Sequence, residues 1–214
     1  MIQALAISLK VLAVDIPLLA VLGVALGWLF AKRRFPGREA LFLVVQLPVA
    51  LPPSVLGLYL LLFVGRVPLL KNLGLLFSFP GAAVAALLPA LPIMVQAARS
   101  GFASVPPPLE EAARTLGDRE WRVFRRVTLP LARRPLVAGL SLAAARALGD
   151  FGVTLMVAGN IPGRTQTLPL YIYSQIEALE FARANVAAAV LVVVGVLSLL
   201  LVKRMEGGRS ERPV

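Results

Sequence analysis

Apolar positions come in long blocks along this chain, separated by short polar stretches. Five blocks stand out: residues 11–30, 40–64, 81–98, 136–158 and 186–202. Each is close to the roughly 20 residues a helix needs to cross a bilayer core. The pattern predicts an all-α integral membrane protein, a single transmembrane domain over residues 1–214 with five spans. The first block lacks a small-residue cleavage site, so it reads as a retained span and not as a signal peptide. The second block contains Pro48, Pro52 and Pro53, and the third contains Pro89 and Pro92. Proline removes a backbone donor and kinks a helix. Freed carbonyls in a bilayer need partners, so such kinks tend to face protein or a cavity. Kinked helices beside a path fit a transporter; irregular packing fits them as well.

The polar stretches are unequal. The loop after the first block carries Lys32, Arg33, Arg34 and Arg38. The central segment carries Arg114, Arg119, Arg122, Arg125, Arg126, Arg133 and Arg134, and the tail carries Lys203, Arg204, Arg209 and Arg212. The intervening loops hold only Arg66, Lys71, Arg164 and Arg183. The bias alternates as five spans require. It predicts an external N-terminus, with the first loop, the central segment and the C-terminus in the cytoplasm.

Composition narrows the class. Of 214 residues 58% are hydrophobic and 15% charged, with mean hydropathy +0.83. That leaves no room for a soluble catalytic domain. The net charge of +11 reads as the basic bias of membrane loops, with no nucleic acid implied. Cysteine and histidine are absent, which removes disulfides, Cys or His metal sites, a histidine base and a cysteine nucleophile. No catalytic or cofactor-binding residues are expected.

The central segment, residues 104–130, is the one folded polar stretch. Pro106 to Pro108 stop one helix and suit the start of another. Glu110 and Glu111 fall in its first turn, where the helix dipole favours acids. Leu109, Ala112, Ala113 and Leu116 are spaced to share a face. Gly117 suits a left-handed stop. Asp118 is expected to cap a second short helix whose apolar side holds Trp121, Phe124 and Val127. A helix–turn–helix with a small apolar face is shaped to dock into a partner; a solvated connector is the plainer reading.

Two further clusters carry candidate chemistry. Arg146 and Asp150 are four apart on the fourth block, close enough to pair, and an ionisable residue in a membrane helix defaults to function. A structural ion pair between helices explains them equally well. Gly149 and Gly152 permit a bend or close helix contact there. "GNIPGRT" has two glycines, Gly159 and Gly163, but only three residues between them, so it is no nucleotide loop. It reads as an external loop in which Asn160 sits and where Arg164, Thr165 and Thr167 offer donors to an oxyanion or simply stiffen the turn. No Walker motif and no nucleophile–base pair occurs, so the chain is no enzyme by itself.

The run Glu111-Ala112-Ala113, three residues, Gly117, nine residues, Val127, one residue, Leu129-Pro130 resembles the cytoplasmic signature of ABC importer permease subunits. The resemblance implies that the first short helix seats in a cleft of an ATPase subunit, with Glu111, Ala112, Ala113, Gly117, Leu129 and Pro130 in the coupling element. "ARALGDFGVTLMVAGNIPGRTQTLPLYIY", with "FPGR" and "LPPSVLGLYLL" earlier, resembles the oxyanion branch, molybdate permeases above the others. Asp150 stands where that branch usually has Glu. The resemblance implies a homodimer, a solute-binding protein outside, and molybdate or tungstate as cargo, with sulfate or thiosulfate as the alternative. Arg146, Asp150, Gly152, Asn160, Arg164 and Thr165 are the candidate pathway or gate residues. A membrane scaffold that recruits a cytoplasmic partner without transport is a rival of another class. An ion-coupled carrier would want more buried acids than Asp15 and Asp150.

Overall fold

The computed structural model describes residues 1–207, all of whose regular structure is helical. Arg209 and Arg212 of the basic tail lie outside the described residues, as do the side chains of Lys203 and Arg204. Helix α1 runs over Ile2–Lys32, with a π-helical turn at Leu19–Gly23 directly after Pro17. It starts well before residue 11. Its face of Ser8, Val11, Leu12 and Asp15 is buried at helical spacing, so charge did not end the helix where the apolar block begins.

The block 40–64 is two helices and not one. Helix α2 (Arg38–Ala50) and α3 (Pro53–Arg66) meet at an angle of 116°. Pro52 and Pro53 remove two successive donors, and Leu51, ahead of them, is extended at φ −85°, ψ 143°. A short helix α4 (Pro68–Asn72) and a loop follow, leading to α5 (Phe79–Ala103). The bend does not return the chain to its starting side. Glu39 meets Arg99 at 3.2 Å, Gln46 donates to the Pro92 carbonyl at 3.3 Å, and Leu56 clusters with Ala85. Contacts thus climb α5 steadily from its end towards its start, so α2 and α3 together run along α5 as one bent pair.

Helix α5 is the central post. Pro89 and Pro92 lie inside it, buried, and the helix continues through both. Small residues let neighbours close in. A side chain on Gly27 of α1 would overlap the Ala98 methyl, and one on Gly139 would overlap the Ala97 methyl. After the short polar helix α6 (Pro107–Thr115) comes α7 (Glu120–Leu148), antiparallel to α5. Its first part contains a second π-helical turn, Phe124–Thr128. The block 136–158 is also broken: α8 (Gly152–Ala158) turns 57° away from α7, because Gly149 ends α7 and Asp150 and Phe151 are non-helical. Helices α9 (Leu168–Glu177) and α10 (Phe181–Gly207) complete the bundle. By length and apolarity α1 and α5 can each cross a membrane, and each bent pair can form one more crossing. Helix α10 carries an apolar stretch over Phe181–Leu197.

Two ends emerge. At one, Lys32 binds Glu110 and Glu39 binds Arg99, bringing the loop after α1 beside α6. At the other, Phe77 N–H donates to the Val157 carbonyl and Leu168 N–H to Ser8 Oγ. The start of α1, the loop before α5 and the loop between α8 and α9 therefore sit opposite the polar segment that carries α6.

Candidate coupling surface and gate

Pro106, extended at ψ 124°, precedes α6, and Pro107 opens it. The helix ends in a Schellman turn. Gly117 N–H donates to the Arg114 carbonyl at 2.9 Å and Asp118 N–H to the Ala113 carbonyl at 3.1 Å, with Gly117 at φ +89°. That positive φ is why glycine stands there.

Glu110 is the anchor. It is 6% exposed; its Oε2 accepts from Lys32 Nζ at 3.0 Å and its Oε1 from Thr128 Oγ1 at 2.6 Å. One carboxylate thus ties α6 to α1 and α7. Glu111, which the spacing singles out, is exposed. The expected apolar face is split. Ala113 is 8% exposed and turned inward, whereas Leu109, Ala112 and Leu116, the last 88% exposed, point outward. The reason is phase: Ala113 lies three residues after Glu110, on the face that Glu110 pulls against the bundle.

The second short helix departs from expectation twice. Asp118 does not cap it. Its N–H is spent on the preceding turn, Arg119 is the N-cap residue, and the Asp118 carboxylate binds Arg122 at 3.3 Å and Arg126 at 3.6 Å. The buried apolar residue is Val123, while Trp121 is largely exposed and stacks on Phe124 at 5.5 Å. The π-helical turn that follows shifts the face, which a 3.6-residue period does not anticipate. Val127 and Leu129 are half-buried and Pro130 exposed at the entry to the crossing. Arg114 Nε donates to Glu120 Oε1 at 2.7 Å across the turn. That bond raises the Arg114 pKa, and it holds the Glu120 carboxyl below its ordinary value.

Three of the gate candidates, Arg146, Asp150 and Gly152, meet where the two bent helix pairs touch. Asp150 is 2% exposed. Its Oδ1 accepts from Arg146 Nη1 at 3.1 Å; its Oδ2 accepts from Thr154 N–H at 3.0 Å and Thr154 Oγ1 at 2.8 Å. The side chain therefore bridges the break, tying the end of α7 to the first turn of α8. A Cβ on Gly152 would lie 2.8 Å from Pro53 Cβ, and Gly57 faces Met156 in the same way. The second halves of the two broken crossings thus pack on each other through glycines. Asp15 of α1 is also fully buried, on the stretch where Leu12 and Ile16 pack against Ala144 and Leu148 near the end of α7. Among the described residues neither of its oxygens has a hydrogen-bond partner. Its spacing from Ser8, Val11 and Leu12 is the sequence signal that places it inward.

The loop after α8 is stiffened from within. Thr165, fully buried, accepts from Ile161 N–H at 3.2 Å and donates to the Gly159 carbonyl at 3.1 Å. Asn160 donates to Ser174 Oγ at 2.6 Å and accepts from Gln166 Nε2 at 2.9 Å, fastening the loop to α9. Gln166 and Ser174 were not singled out by the sequence, because their partners lie across the loop. Thr167 is buried with no hydroxyl partner among the described residues, and Arg164 is exposed at the tip. Of the six gate candidates, Arg146, Asp150 and Gly152 share one site, Asn160 and Thr165 hold the loop, and Arg164 stands apart from both. Among the described residues no cluster of three or more acidic side chains suits a metal ion.

The family model described as "Binding-protein-dependent transport system inner membrane component" matches residues 23–209. The chain is 40% identical to the molybdenum transport system permease protein ModB of Escherichia coli K12 over 182 residues, covering 82% of this chain and 80% of that one. It is 37% identical to the ModB of Haemophilus influenzae, covering 96% and 95%. It is also 34% identical to the sulfate transport system permease protein CysW of Synechocystis, covering 95% and 76%. In fold it is similar to an inward-facing MetNI methionine ABC transporter chain, with TM-score 0.77 and 20% identity over 96% of this chain and 94% of that one. It is likewise similar to a bacterial alginate ABC transporter chain, with TM-score 0.79 and 17% identity over 100% and 80%. Broken apolar crossings, a docked polar helix and sequence likeness over most of the chain agree: this protein belongs to the family of binding-protein-dependent transport system inner membrane components, the permease subunits of ABC importers.

Proposed function

We propose that the chain is the membrane-spanning half of an ATP-driven importer that carries molybdate, with tungstate as a competing cargo. The permease relatives named for molybdenum support the cargo. The single observation that carries the coupling role is the outward Leu109, Ala112 and Leu116 face on a helix whose opposite side is anchored by Glu110. An ATPase subunit takes that face in a groove, and ATP hydrolysis belongs to that subunit. Leu129 and Pro130 begin the crossing that the helix pushes. Two copies form a homodimer around the pathway, since one chain lines only part of a pore. A solute-binding protein outside delivers the oxyanion to the end that carries residues 159–167. The chain crosses the cell membrane five times, N-terminus outside and C-terminus in the cytoplasm, with α2–α3 and α7–α8 as broken crossings. Basic loops at the coupling end support this orientation.

Sulfate is the second reading, favoured by the likeness to CysW. The test is uptake into vesicles that hold the permease with its ATPase and binding protein. Labelled molybdate should accumulate with ATP, unlabelled tungstate should compete, and sulfate should not. Accumulation of sulfate without molybdate overturns the cargo; ATPase binding with no flux of either anion makes the chain a scaffold.

A further inference from the structure

A groove runs along α1 where the start of α7 crosses it. Its cavity measures about 610 Å³ and its walls include Val21, Val24, Ala25, Trp28, Trp121 and Phe124. A second cavity of about 420 Å³ adjoins its polar end, sharing Trp28, Glu120 and Phe124 as walls and adding Lys32, Arg33 and Arg114. The two differ in chemistry: the first is almost wholly apolar, and the second is ionic.

The charges in the ionic part do not cancel. Lys32 is paired with Glu110 at 3.0 Å and Arg114 with Glu120 at 2.7 Å. Arg33 is the third cation against two carboxylates. Its guanidinium lies 5.3 Å from the Trp28 ring centre and, among the described residues, makes no close ion pair, acting on the Glu120 carboxylate only at longer range. Trp28 meets Phe124 edge-on at 6.1 Å, and Trp121 stacks on Phe124. One spare positive charge therefore sits over an aromatic wall at the mouth of an apolar groove.

We propose that this joint binds one anionic phospholipid, with an acyl chain in the groove and the phosphodiester on Arg33. Depth decides for a lipid over a soluble partner. The groove reaches Ala20, twelve residues before Lys32, or roughly 18 Å into the apolar stretch of α1. Tryptophan at the end of a span and a basic residue beside it are how membrane proteins meet the headgroup layer. A free oxyanion would satisfy Arg33 but leave the apolar groove uncovered. The lipid would brace α1 against the coupling segment, since it touches both. This inference rests on the membrane placement of the chain and is independent of the transported solute.

The experiment uses the full chain in nanodiscs of phosphatidylcholine with and without phosphatidylglycerol, and native mass spectrometry counts retained lipid. The wild type should prefer phosphatidylglycerol by about tenfold or more, the worth of one charge-assisted hydrogen bond. Arg33→Gln should lose that preference, and Arg33→Lys should keep part of it. Ala25→Phe, which fills the groove, should lower retention of both lipids. Arg33 and Ala25 are both exposed, so none of these changes disturbs the core. Equal retention of the two lipids by the wild type, or an unchanged preference in Arg33→Gln, overturns the proposal. So does displacement of the lipid by molybdate or glycerol phosphate alone, which would mark a plain anion site. Dissociation of the dimer by Ala25→Phe with lipid retention intact would assign the groove to the second copy.

Discussion

Glu110 on α6 and Leu116 at its C-cap sit six residues apart and should fail in opposite ways. Glu110→Ala strands the Lys32 ammonium and the Thr128 hydroxyl in a poorly solvated joint. The expected cost is on the order of 2–3 kcal/mol, read as a lower melting temperature in detergent. Leu116 touches solvent over most of its surface, so Leu116→Asp should leave melting unchanged and abolish co-purification of the ATPase. Equal melting loss in both variants would mean that Leu116 is structural. Ala112 and Ala113 separate likewise. Ala113→Leu overpacks the inner side at about 1–3 kcal/mol, whereas Ala112→Leu should disturb docking alone. Gly117→Val meets a left-handed φ and should cost on the order of 1 kcal/mol while misdirecting the second helix. At the gate, Asp150→Asn keeps an acceptor for Thr154 but loses the charge that holds Arg146. Uptake should fall while the external binding protein still binds its anion. Full uptake in Asp150→Asn would leave Asp150 as a dispensable brace.

Among elements, the informative contact is that between α3 and α8. Both are second halves of broken crossings, and they approach through Gly57 and Gly152. Gly152→Val inserts atoms against Pro53 where the backbone has little room to give. The expected result is about 1–3 kcal/mol of lost stability and a larger fractional loss of uptake, because the two halves can no longer move as a packed unit. Uptake that falls only in proportion to folded protein would deny the pair a gating role. Much of these elements is legible in the amino-acid order. Proline pairs, glycines and the 104–130 segment announce where helices stop. The severity of a stop is less legible: Pro52 and Pro53 break the crossing by 116°, while Pro89 and Pro92 pass within a continuous helix. The difference lies in spacing: the adjacent prolines hold both Leu51 and Pro52 extended, at ψ 143° and 137°, whereas Pro89 and Pro92, like the exposed Pro17 of α1, stand apart within helical backbone.

For the whole molecule the expectation is orientation and parity. Reporter fusions at Met1, Lys71 and Val214 should read outside, outside and cytoplasm. A cytoplasmic signal at Lys71 would turn α2–α3 into a re-entrant hairpin and overturn the five crossings. Composition and apolar block length were enough by themselves to determine an all-α membrane protein with one folded polar segment, because bilayer thickness and helix geometry act on local runs of residues; the Glu111 to Pro130 spacing added the resemblance to importer permeases. Only the tertiary structure decided that Glu110 and not Glu111 anchors that segment, that Ala113 faces inward, and that Asp15 is fully buried with no hydrogen-bond partner among the described residues. Those facts depend on which helices touch, with Lys32 and Glu110 separated by 78 residues along the chain. Helical phase across a π-helical turn, and the match of a carboxylate to a distant ammonium, are properties of the packed bundle and have no local signature.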